Sequence, residues 1–173
     1  MGRVTGQTHE TIPAATVVGW REWVRLDALG VPWIKAKIDT GARTSSLHAF
    51  DLQALEVDGS PRVRFSIHPW QATAQDEVAV ELPVHDVRSV RSSSGHAETR
   101  YVVLVPLVLH GRQVEAEVTL TDRDEMGFRM LVGREALVPG FLVDPGLSYA
   151  GGRPERAVRR RNWGRTTAPG SRG

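Results

Sequence analysis

Ile34-Lys35-Ala36-Lys37-Ile38-Asp39-Thr40-Gly41 is the stretch on which the reading of the fold turns. Ile34, Ala36 and Ile38 alternate with Lys35 and Lys37. A period of two puts the apolar residues on one face and the lysines on the other, so the stretch reads as a half-buried β-strand. Asp39 follows where the strand must leave its sheet, and Gly41 permits a tight turn there. A carboxylate fixed at a strand end can do proton chemistry; it can equally cap a turn by accepting backbone N–H groups. The tripeptide alone leaves both readings open.

Outward from it, the same pattern recurs. Trp20 to Leu26 forms a hairpin with the Asp39 strand through Gly30 and Pro32. Asp58-Gly59 lies between alternating flanks and marks a second hairpin. Val78 to Val84 alternates again, and Leu47 to Leu55 is ambiguous. Val87 to Val90 and Arg100 to Leu109 bracket Ser92-Ser93-Ser94-Gly95, a long hairpin with a small tip. Pro106 calls for a free edge or a kink in its second arm. After the His110-Gly111 turn, Val114, Ala116, Val118 and Leu120 alternate with polar residues. Met130-Leu131-Val132 is a short apolar run ended by Gly133; Glu135 to Val138 makes a helical turn, and Phe141 to Val143 a last strand. Many short strands with turn signals between them predict an all-β sandwich or barrel.

Composition bounds the rest. A chain of 173 residues without cysteine is expected to form one domain with tails, held by its core and not by disulfides or thiolate zinc sites. No apolar run is long enough to span a membrane, and no secretory signal is evident, so a cytoplasmic location is expected. Net charge is +2, but residues 153–173 hold seven arginines against Glu155 alone. That tail carries +6, which leaves −4 on the remainder. Expected boundaries are a flexible leader over 1–15, a β domain over 16–150 and a disordered Arg-rich tail over 151–173.

Gly19-Trp20-Arg21-Glu22-Trp23-Val24 and the run from Ile34 to Ala49 resemble the opening of the RimK-associated retropepsin-like aspartic peptidase family, often labelled "ATP-dependent zinc protease". The likeness continues through Ser94-Gly95, Arg100-Tyr101, Thr119 to Arg123, Met126 and Met130 to Arg134, over roughly residues 17 to 143. The resemblance implies a retropepsin-like closed β-barrel carrying half an active site. It assigns Asp39 as the catalytic carboxylate in a turn with Thr40, Gly41 and Ala42. It makes Ser92, Ser93, Ser94 and Gly95 the tip of a flap, and Leu131, Val132, Gly133 and Arg134 the segment that braces the turn. Thr40 would bond across a dimer to its counterpart.

Aspartic peptidases need two carboxylates that share a proton. This chain has one Asp-Thr-Gly and no Asp-Ser-Gly, so the second Asp39 must come from another copy, which predicts a homodimer acting on a peptide or protein. One departure is Arg43, two residues past Gly41, where viral relatives carry an Asp that pairs with the arginine of the Gly-Arg segment. Arg43 is therefore a substrate-binding candidate for acidic side chains or a solvated surface residue. His48, close behind the turn, is a second candidate.

The zinc label finds no His-Glu-x-x-His, and the six histidines are scattered; no metal or other cofactor is expected. No phosphate-cradling Gly-rich loop ending in Lys-Ser or Lys-Thr is present, so nucleotide dependence would come from a partner such as the ATP-grasp ligase associated with the family. Trp20, Trp23 and Trp33 read as packing residues. The tail is either a solubilising extension or a contact for RNA or an acidic protein. Two further functions stay open beside the peptidase: a non-catalytic peptide-binding barrel, and a zinc hydrolase built on Asp39 and His48.

Overall fold

The computed structural model describes residues 14–91, 94–122 and 127–164. In chain order these hold β1 (Thr16–Val18), β2 (Arg21–Leu26), a 3-10 turn (Asp27–Leu29), β3 (Val31–Asp39), β4 (Ser45–His48), β5 (Phe50–Val57), β6 (Ser60–Ile67), β7 (Val78–Pro83) and β8 (Asp86–Arg91). They continue with β9 (Ala97–Leu109), β10 (Arg112–Thr121), β11 (Met130–Gly133), α1 (Arg134–Leu137), β12 (Phe141–Val143) and α2 (Arg156–Arg161). The chain is mostly β-strand, as the alternation requires. The ambiguous stretch after Leu47 resolves into two strands, β4 and β5, which part at Ala49.

The largest sheet runs β10-β4-β11-β3-β2-β9-β8, and β10 also pairs with β9, so the pairings run round a ring. Hairpin turns set the strand registers. Asp58 and Gly59 both take positive φ, 52° and 76°, the geometry of the two-residue turn that joins β5 to β6. β5, β6 and β7 make a separate three-stranded sheet, and β1 lies parallel to β12. Pro106 pairs opposite Glu115 on β10, in a part of β9 that lies between its β8 and β2 pairings and needs no second ladder.

The inward residues of β3, Ile34, Ala36 and Ile38, pack with Val24, Leu26, Leu47, Leu107, Leu109, Val118 and Met130 in one core. Each full burial of a side chain of this kind stabilises the fold by about 1.5–3 kcal/mol. Lys35 and Lys37 point the other way, as their phase demands.

The tail expectation is corrected over 151–164. This stretch carries α2 and is tied down at several points. Glu22, wholly buried in the inward phase of β2, accepts hydrogen bonds from the Gly19 N–H at 2.7 Å, the Ala150 N–H at 2.9 Å and the Gly151 N–H at 3.2 Å. Tyr149 N–H donates to the Arg21 carbonyl at 2.9 Å. Past α2, Asn162 is buried and accepts from the Gln71 N–H at 3.1 Å. A buried carboxyl group needs such donors, and one of them, the Gly151 N–H, comes from the segment that composition alone marked as loose. The leader over 1–13 and residues 165–173 lie outside the described residues. No helix among those described is long and apolar enough to cross a membrane.

Candidate active site

Asp39 ends β3 opposite Gly133 of β11, in a parallel register that also matches Met130 with Ala36 and Val132 with Ile38. The chain then turns. Asp39 Oδ1 accepts the Gly41 N–H at 3.1 Å and the Ala42 N–H at 3.2 Å. Two backbone donors on one oxygen fix the orientation of the carboxylate. Asp39 is half-buried, while Thr40 and Gly41 are exposed.

The segment after β11 holds this turn from behind. Arg134 N–H donates to the Ala42 carbonyl at 2.8 Å, and Glu135 N–H to the Arg43 carbonyl at 3.1 Å. The Arg134 guanidinium reaches the Thr40 carbonyl at 3.2 Å. Gly133 N–H donates to Ser45 Oγ at 3.0 Å. A Cβ on Gly133 would collide with the Thr44 carbonyl, so only glycine lets the two segments approach this closely. Leu131 and Val132 are buried beneath.

Arg43 has its own partner: its Nε donates to Glu135 Oε1 at 2.6 Å. The hydrogen bond and charge of Glu135 raise the guanidinium above its ordinary range; Arg88 opposes this and Glu117 adds to it. Arg134 caps the turn through the Thr40 carbonyl. Arg43 thus stands exposed at the surface with Glu135 as its partner.

Arg88 stands on β8 at the root of the β8–β9 hairpin, and Glu117 lies on β10, which pairs with β9. Arg88 donates to Glu117 Oε2 and to Asp86 Oδ2, each at 2.8 Å, and His85 Nε2 lies 3.2 Å from Glu117 Oε1. The Arg88 bond, followed by His85, holds Glu117 below the usual carboxylate range; the Val87 N–H and then Arg88 do the same for Asp86. At the tip Gly95 takes φ +83° beside Ser94, and Ser92 and Ser93 lie outside the described residues.

His48 is not brought to the turn. It is 5 % exposed and meets the Phe50 ring edge-on at 4.3 Å. Its N–H donates to the Arg129 carbonyl, four residues along from Gly133, which is about 13 Å of strand. A site joining His48 to Asp39 is therefore not formed. No group of three or more His, Cys, Asp or Glu among the described residues is placed to hold a metal ion. Sequence reasoning missed Ser45, Glu135 and Glu22. Glu22 carried a signal, an acid in the inward phase of a strand; the other two needed tertiary contacts to be seen.

Residues 17–154 match the RimB-like family, described as the retropepsin-like aspartic endopeptidase RimB. A probable alpha-L-glutamate ligase from Desulfotalea psychrophila is 43% identical over 137 residues, covering 79% of this chain and 30% of the ligase. Another from Shewanella pealeana is 46% identical over 133 residues, covering 77% and 29%. The chain thus spans under a third of the length of the curated relatives it matches. A crystal structure of a Legionella pneumophila protein with unknown function is similar at a TM-score of 0.66 and 28% identity, over 79% of this chain and 98% of that one.

Proposed function

Because the chain belongs to the RimB-like, retropepsin-like family, we propose that it is a homodimeric aspartic endopeptidase with a closed barrel and half an active site per copy. The observation that carries this reading is the Asp39 carboxylate, half-buried at a braced turn and oriented through one oxygen by the Gly41 and Ala42 N–H groups. Among the described residues its Oδ2 has no hydrogen-bond donor, which leaves it for a water or a second carboxylate.

Two Asp39 groups facing one another across a two-fold axis cannot both ionise. One keeps a proton and donates it to the scissile carbonyl; the other takes a proton from water, which attacks the carbonyl carbon. The resulting tetrahedral species breaks the C–N bond as the nitrogen takes up a proton. The exposed Thr40 and Gly41 supply the surface for the second copy, and the β8–β9 hairpin with Ser94 and Gly95 serves as the flap over an extended peptide. Asp39→Asn tests the reading. Peptide cleavage should fall by about 10²–10⁴-fold or more, with the fold and the dimer retained; undiminished cleavage refutes it.

The matched relatives favour a setting for this activity. They are named probable alpha-L-glutamate ligases, and this chain corresponds to less than a third of each. We infer that the domain works alongside a ligase of that kind, on a peptide or isopeptide-like bond. A domain that is monomeric at micromolar concentration, binds a ligase and cleaves nothing would instead be a docking module.

A further inference from the structure

Away from the turn, the outward faces of β2 and β3 present Arg21 and Lys35. The C-terminal segment lays Tyr149, Arg153, Arg159 and Trp163 beside them, and together they line a cavity of about 290 Å³. No acidic side chain lines it. Among the described residues none of these four cations is in an ion pair. Arg159 Nε is buried without an acceptor. Three of the cations rest instead on rings: Arg153 lies 4.6 Å and Arg21 4.9 Å from the Tyr149 centroid, and Lys35 Nζ lies 5.8 Å from Tyr149 and 5.9 Å from Trp163. Four like charges gathered in one concavity repel one another, and an entering anion relieves that cost. Trp163 is 70 % exposed, so a large aromatic face stands open at the rim.

We propose that this cavity binds a nucleoside phosphate unit. The base stacks on the Trp163 indole, and Lys35, Arg153 and Arg159 take the phosphate. Inorganic phosphate or a run of carboxylates would use the cations and leave the indole idle; an open aromatic face next to cations is the arrangement that serves nucleotides. The volume lies near the lower end for small-ligand pockets, about 300–1,000 Å³, which is room for one such unit. Lys35 stands four residues before Asp39 on β3, about 13 Å away, so the cavity is separate from the candidate active site. A free nucleotide and a residue of single-stranded RNA offer the same chemistry.

The test is fluorescence anisotropy of the full chain with a labelled oligo-uridine RNA, with AMP, inorganic phosphate and a glutamate hexapeptide as competitors. AMP should displace the RNA at least ten-fold more effectively than inorganic phosphate does. Displacement at concentrations near those of the RNA itself assigns the site to a free nucleotide; RNA binding ten-fold tighter or more assigns it to a single strand. Trp163→Ala should weaken binding by about ten-fold, while Trp163→Phe largely retains it. Arg159→Ala should lower the slope of log affinity against log salt by about 0.7 for each phosphate it ceases to neutralise. Asp39→Asn should bind as the parent does. Circular dichroism checks that each variant is folded. Three outcomes overturn the proposal: no binding of RNA or AMP, binding indifferent to Trp163→Ala, or displacement by the glutamate peptide as effective as by AMP.

Discussion

Gly133 faces Asp39 across the β3–β11 ladder, and the place of its missing side chain is taken by the Thr44 carbonyl. The turn that carries the carboxylate and the strand that follows it are pressed together through this one position. Gly133→Ala should therefore cost about 1–3 kcal/mol in urea unfolding, an overpacking penalty. Since the displaced backbone leads directly out of the Asp39 turn, any peptidase activity should fall further than stability does. Unfolding midpoints measured beside cleavage rates on the same preparation check both.

Glu22 is the second position where one side chain holds distant parts together. Replacing it with Ala leaves the N–H groups of Gly19, Ala150 and Gly151 without their acceptor. The expected loss is at least about 1–3 kcal/mol. Hydrogen exchange should accelerate at Ala150 and Gly151 well before it does in β3. Unchanged protection there would mean the segment is held by its other contacts.

The Arg43–Glu135 pair should matter much less. Its side chains are 76 % and 43 % exposed, and water and salt screen ion pairs of this kind so that they add little to stability. A double-mutant cycle over Arg43→Ala and Glu135→Ala should give a coupling close to zero, shrinking further as salt is raised.

Acid should loosen the root of the β8–β9 hairpin. Glu117 and Asp86 titrate below their ordinary values because Arg88, His85 and the Val87 N–H favour their charged forms. Carboxylates depressed in the folded state contribute stability above their unfolded values, near 4, and that contribution is lost as pH falls through the lower folded values. Thermal midpoints should decline below about pH 4, and Glu117→Gln should flatten part of that decline. A variant with the parent's slope would remove Glu117 from the account.

Much of this architecture was legible in the chain because alternation and turn chemistry are local. Ile34 to Ile38 announce β3, and Asp58-Gly59 announces the β5–β6 turn, with no knowledge of neighbours. The Asp39 turn and its brace were legible through resemblance, because both are short contiguous motifs. What escaped was non-local. His48 looked close to Asp39 because nine residues separate them, yet β4 carries it to the far end of β11. The arginines after 151 looked loose because composition does not report that Glu22, Arg21 and Gln71 reach across the chain to secure that segment.

That reach has a consequence for how the molecule is made. The acid at position 22 is synthesised first and must wait for amides 128 and 129 residues later to complete its shell. Until those arrive, the β2–β3 hairpin cannot bury that carboxyl group without losing two of its three backbone donors. Contacts of such long sequence separation slow assembly, and they make the stretch around Ala150 and Gly151 a closing latch. A chain truncated before Ala150 should be unable to shut it.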